Sequence, residues 1–74
     1  MIKSEELINQ DSCLNKAKDG EFLFVLLGRD AAAPAVINFW VSERIRLGKN
    51  NWYDNQIQEA LTIAARMEFN RKSL

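Results

Sequence analysis

Asp30-Ala-Ala-Ala-Pro34-Ala-Val-Ile-Asn-Phe-Trp40-Val-Ser-Glu-Arg44-Ile-Arg-Leu-Gly48 carries a helix start signal, a helical apolar pattern and a stop signal in one stretch. Proline is accepted in the first turn of a helix and refused in its interior. Regular helix is therefore expected from near Pro34, with Asp30 capping an irregular turn through Ala31 to Ala33. On a helical wheel Val36, Leu47, Trp40, Ala33, Ile37, Gly48, Val41 and Ile45 fall in one arc of roughly 180°, wide for a helix with a single neighbour. Arg44 sits near the middle of that arc. A guanidinium keeps its charge in a protein and is costly to bury alone, so Arg44 should meet a carboxylate, an anion or a partner chain.

Working outward, Gly48-Lys-Asn-Asn51 reads as the stop, with Gly48 or Asn50 taking the left-handed conformation of a helix C-terminus. A second helix is expected from Trp52 to about Lys72. Tyr53, Ile57, Ala60, Leu61, Ala64 and Met67 lie on one arc of it, and Asp54 is available at its cap. A connection this short makes the two helices antiparallel neighbours. Across the hairpin, Arg44 with Asp54 and Arg29 with Glu68 are candidate ion pairs. Phe39 falls on the otherwise polar side of the central helix, which favours subunit contact.

Upstream, Glu21-Phe-Leu-Phe-Val-Leu-Leu27 is a continuous apolar run between Gly20 and Gly28, with the length and aromatic content of a buried strand. No second strand is visible. A lone strand leaves backbone donors and acceptors unpaired, so the run pairs with its copy in another subunit or lies extended across the helices; a short buried helix fits the pattern as well. Before it, Asp11 or Ser12 can cap a short helix through Cys13, Leu14 and Ala17, ended by Asp19-Gly20, with Cys13 as a small core residue. Residues 1–10 have spacing for a turn or two of helix and little to hold it. They are expected to be a flexible arm, leaving residues 11–74 as one helical domain.

The chain has 74 residues, one cysteine, no histidine, and ten basic residues against ten acidic ones. At this length a single core supplies only a few kcal/mol. One cysteine makes no internal disulfide, and without histidine the commonest zinc ligand and general base are missing. Oligomerisation is then the expected support. Neutral charge argues against a nonspecific nucleic-acid or membrane-surface binder. The apolar run is too short to span a bilayer, and the first residues lack the pattern of a signal peptide. The expected setting is the cytoplasm.

No phosphate-binding glycine loop, nucleophile elbow or Cys-x-x-Cys pair is present, and the glutamates fall at ordinary helix-surface or pairing positions, so a non-enzymatic protein without cofactor or metal is expected. The richest polar group is Arg44, Arg46, Lys49, Asn50, Asn51, Trp52 and Tyr53 around the hairpin loop, joined by Trp40 one turn before Arg44. Cations, amides and aromatic faces suit an anionic, flat ligand such as a nucleotide. The backbone donors at the start of the central helix form a modest anion site beside Arg29. The plainer reading has Trp40 and Trp52 closing the end of the core and Arg44 paired with Asp54.

Phe24-Val-Leu-Leu-Gly-Arg-Asp30-Ala-Ala-Ala-Pro34-Ala-Val-Ile-Asn-Phe-Trp40, continued by Arg44-Ile-Arg-Leu-Gly-Lys-Asn50 and closed by Ala60-Leu-Thr-Ile-Ala-Ala-Arg-Met67-Glu68, resembles a group of small phage and prophage proteins. In these an apolar stretch, an Asp-x-x-Ala-Pro step, a tryptophan-bearing helix and an alanine-rich helix ending in Met-Glu recur. In size and setting the chain is also similar to phage anti-defence sponges, assemblies that sequester the cyclic nucleotide signals of bacterial immunity in basic pockets between subunits. Under that resemblance Arg29, Arg44 and Lys49 hold phosphates, while Trp40, Trp52 or Tyr53 stacks a base. Alternatively the same face docks a host or viral protein, with Arg44 as an interface anchor; a third reading is a DNA-binding helical hairpin. The expected architecture is mainly α: a short N-terminal helix, an extended apolar segment as a possible single strand, and an antiparallel helical hairpin, assembled as a homo-oligomer.

Overall fold

The structure is a computed structural model describing residues 2–73, with side chains described through residue 70. It is mainly helical, in the order α1 (Lys3–Ile8), α2 (Cys13–Lys16), α3 (Ala33–Arg46) and α4 (Asn55–Ser73). The helices α1 and α2 pack on each other, as do α3 and α4, and the two pairs do not meet.

The central helix starts and stops as its sequence predicts. Asp30 Oδ1 accepts from the Ala32 amide at 2.8 Å, and the Asp30 carbonyl accepts from Ala33 at 3.0 Å. Pro34 occupies the first turn, where its missing N–H costs nothing. At the other end Gly48 takes φ +73°, the left-handed conformation of a C-terminal cap. The Gly48 amide reaches the Ile45 carbonyl at 3.0 Å and the Lys49 amide reaches Arg44 at 2.9 Å. These two bonds make a Schellman motif, and they turn the chain sharply into the loop.

The second helix starts later than expected, at Asn55 rather than Trp52. Trp52 and Tyr53 stay in the loop as a turn, held by the Gln58 side-chain amide donating to the Trp52 carbonyl at 2.6 Å. From Asn55 onward the expected stripe packs. Ile57 and Ala64 are buried, and Ala60, Leu61 and Met67 are half-buried. They face Ala33 and Val41, both buried, and Ile37 and Ile45, both half-buried. The start of α3 at Pro34 and Ala35 shares a cleft with Ala65 and Glu68 late in α4, which sets the pair antiparallel.

The wide arc of α3 is only half covered. Val36, Trp40 and Leu47, on its far flank, are exposed, as is Phe39. One neighbouring helix covers a narrower stripe than this arc, and α1 and α2 do not supply a second neighbour.

The N-terminal pair is tied by hydrogen bonds. Ser12 caps α2 by accepting from the Asn15 amide at 3.2 Å, and its hydroxyl donates to the Glu6 carbonyl at 2.6 Å. The Asn15 side chain donates to the carbonyls of Glu6, Leu7 and Asn9 at 3.0, 3.1 and 2.8 Å. One asparagine thus reaches three carbonyls at the end of α1, those of Glu6 and Leu7 being orphan acceptors of the helix. Cys13, expected in a core, is exposed, because a single turn of helix with one neighbour buries little on any face. The helix also ends earlier than predicted, at Ala17, whose backbone is already extended.

Between the pairs, residues 21–27 run without helix, turn, bend or ladder, so the short buried helix is not formed. Turns close both ends, Glu21 donating to the Lys18 carbonyl at 2.9 Å and Asp30 to the Leu27 carbonyl at 3.0 Å. The run is not buried: Phe22 is 101% exposed, Phe24 83% and Val25 73%. At its end Gly28 lies against Met67 of α4.

The accessible surface is 6391 Å², against about 4,700 Å² for a compact protein of 8.5 kDa. The radius of gyration is 13.2 Å, where a compact chain of this length gives about 11 Å. Among the described residues no helix is long and apolar enough to cross a membrane.

Candidate functional site

The hairpin tip is built from the end of α3 and the loop that follows. Arg44 is half-buried in the last turns of α3, and its guanidinium carbon lies 5.6 Å from the ring centroid of Trp40, one turn back. That distance is within the range of cation–π attraction. Arg44 Nε donates to Asn50 Oδ1 at 2.6 Å. Asn50 is held in turn, its amide nitrogen donating to Asp54 Oδ2 at 2.9 Å and to Gln56 Oε1 at 3.2 Å.

The expected Arg44–Asp54 ion pair is therefore replaced by a relay, with Asn50 standing between cation and carboxylate. The reason lies in the Schellman turn. It brings the Asn50 backbone to within 3.3 Å of the Arg44 carbonyl, which sets the Asn50 side chain ahead of Asp54. Asp54 is spent on the loop: besides Asn50, its Oδ2 accepts from the Asn51 amide at 2.9 Å. Those two hydrogen bonds, the Asn51 amide first, hold its carboxyl below the ordinary aspartate value. Asp54 precedes α4 in the capping position, yet its side chain points back into the loop instead of onto the helix.

The terminal amino groups of Arg44 have no partner among the described residues. The guanidinium is thus fixed at Nε and against an indole face, with the donors suited to a bidentate anion left over. Arg46 differs in this respect. It pairs with Glu43, Nη2 to Oε2 at 2.7 Å, one turn apart on an exposed face. That hydrogen bond lowers the Glu43 carboxyl and raises the Arg46 guanidinium from their ordinary values.

Of the site residues read from sequence, the fold gathers Trp40, Arg44, Lys49, Trp52 and Tyr53 at or beside the tip. Lys49 and Tyr53 are exposed, Tyr53 at 92%. Trp40 and Trp52, expected to close the end of the core, are 37% and 52% exposed. With Ile57 and Val41 filling the interface, the indoles are left at its rim. Arg29 is not part of this group. It sits in the turn before α3, separated from Arg44 by roughly 15 Å or more of helix axis at 1.5 Å per residue. Among the described residues its side chain has no partner, and the ion pair with Glu68 is not formed.

Asn50, read from sequence as a member of the cluster and a possible C-terminal cap, is the residue that joins Arg44 to Asp54. Its signal was its position two residues past a C-terminal glycine, within reach of both hairpin arms. A separate open cleft of about 430 Å³ lies along the other side of the hairpin, lined by Pro34, Ala35, Asn38, Leu61, Ala64, Ala65 and Glu68. It is mostly apolar and shares no residue with the tip.

Fold and tip together define a mainly helical protein with an exposed cationic and aromatic hairpin end. No protein-family model, curated protein or solved structure matches the chain.

Proposed function

We propose that this chain is a non-enzymatic, homo-oligomeric binding protein that sequesters an anionic, planar ligand of the nucleotide class, completed at the hairpin tip by a neighbouring subunit. This places it with phage anti-defence proteins that remove a cyclic nucleotide immune signal from the cytoplasm of the infected cell. The observation that carries it is the state of Arg44, held on both sides and neutralised on neither. Among the described residues its charge is not closed on a carboxylate. Instead Asn50 orients Nε and Trp40 supports the plane, an arrangement that lowers the ordering cost of gripping phosphate oxygens. Lys49 adds charge, and Trp52 and Tyr53 offer exposed faces for a base.

The test is native mass spectrometry of the protein alone and with a panel of cyclic mono-, di- and trinucleotides and ADP-ribose derivatives. A discrete oligomer gaining a fixed number of ligand masses, and losing them in Arg44→Gln with helicity and subunit number unchanged, supports the reading. An oligomer that takes up none of the panel overturns it.

A second reading, an interaction module that inhibits or adapts a host or viral protein, has its own support. Val36, Phe39 and Trp40 form an exposed apolar and aromatic row on the outer side of α3, and aromatic side chains are enriched at interface centres.

A further inference from the structure

The segment Glu21–Leu27 combines two properties that a folded chain rarely leaves together. Among the described residues, no backbone N–H or C=O from Phe22 to Leu26 has a hydrogen-bond partner. Its side chains on both faces are also in solvent, with Phe22, Phe24 and Val25 more than 70% exposed. An open strand of this kind is a template for another strand.

The geometry points to a second copy of this chain as the occupant, its own residues 21–27 pairing antiparallel about a two-fold axis through Phe24. This rests on the homo-oligomer part of the proposed function and supplies its interface. Three observations select this occupant and register. First, the chain exposes roughly 1,700 Å² more than a compact protein of its mass, while a stable interface removes about 800 Å² from each partner. Second, the seven residues without turn or bend end in a turn on either side, Lys18–Glu21 and Leu27–Asp30. Pairing about Phe24 uses the whole run, sets Gly20 beside the partner subunit's Gly28, and is self-complementary as a two-fold contact must be.

Third, the charges agree. Antiparallel pairing sets the Asp19-bearing turn of each copy toward the partner subunit's Arg29-bearing turn, twice by symmetry. The side chains of Asp19 and Arg29 have no partner within the described chain. A register centred on Val25 would instead oppose Glu21 to the partner subunit's Arg29. The partner positions 28 and 29 lie in the turn that follows the run, so that register would leave Phe22 and Glu21 outside the ladder.

Single-cysteine variants in a Cys13→Ser background read the register. Directly opposed residues in an antiparallel pair lie about 4.5–5.5 Å apart at Cα, within the roughly 4.4–6.8 Å that a disulfide accepts. Diagonal neighbours, at about 7–8 Å, fall outside it. Under mild oxidation Phe24→Cys should give a doubled mass on its own. Leu23→Cys and Val25→Cys should each stay uncross-linked alone and give the doubled mass when mixed. The mixture keeps the test decisive if Phe24→Cys fails to fold. Cross-linking of Leu23→Cys and Val25→Cys each with itself would mean parallel strands and overturn the proposal. So would an oligomer that cross-links at none of the three positions, which leaves the assembly itself standing. A monomeric wild type overturns both, while ligand binding is judged separately by the nucleotide panel.

Discussion

Arg44 and Asn50 are joined twice, the arginine Nε to the asparagine Oδ1 at 2.6 Å and the asparagine amide to the arginine carbonyl at 3.3 Å. The helix end and the orientation of its cation are therefore one piece of structure. Asn50→Ala should cost about 1 kcal/mol of stability for the lost hydrogen bonds. It should weaken ligand uptake by more than its effect on folding explains, since it frees the guanidinium without removing its charge. Thermal unfolding followed by circular dichroism, beside titration of whichever nucleotide the panel identifies, separates the two effects.

Gly48 and Gly20 should respond oppositely to the same change. Neither has an atom within 4 Å of an added Cβ, but Gly48 holds φ +73°. Gly48→Ala should destabilise by about 1–2 kcal/mol from backbone strain alone. Gly20→Ala meets neither obstacle and should be neutral or stabilise by up to about 1 kcal/mol through the unfolded chain. Chemical denaturation of both variants checks the contrast.

The Asp54 carboxyl titrates below its ordinary value because the folded loop bonds to its ionised form. The sign follows directly. Its contribution is fully present above the unfolded aspartate value and is lost as pH falls through the folded one. Stability should therefore decline on acidification through that range. Asp54→Asn, unable to ionise, should lower stability at neutral pH and flatten this part of the profile, as melting temperatures across the acid range would record.

Ile57 and Val41 are the largest side chains fully removed from solvent. Ile57→Ala should cost about 2–5 kcal/mol, comparable to everything a core of this size supplies. The variant should be largely unfolded at room temperature by circular dichroism. A folded variant would mean that stability resides elsewhere, as in an extensive subunit interface.

The hairpin was legible because its signals are local. Proline, aspartate and glycine mark the limits of α3, and the stripe from Ile57 to Met67 has one period and one neighbour. Cys13 lies outside a core, and the indoles do not close one, for one shared reason. Burial was inferred from residue type, and the expected neighbours are not supplied within the chain. The same reason left residues 21–27 open between strand and extended segment, since a ladder depends on a partner that one sequence does not display. Asn50 was missed as a relay because the Arg44–Asp54 pairing was read from spacing along the hairpin, whereas the Schellman turn decides which side chain arrives first.

In the proposed assembly a second copy of this chain completes the structure. Sedimentation equilibrium of the purified protein over a range of concentrations tests it most directly. A mass of at least twice 8.5 kDa, falling when Phe24→Asp places a charge at the proposed two-fold, is the predicted result. A single species of 8.5 kDa at every concentration would contradict it.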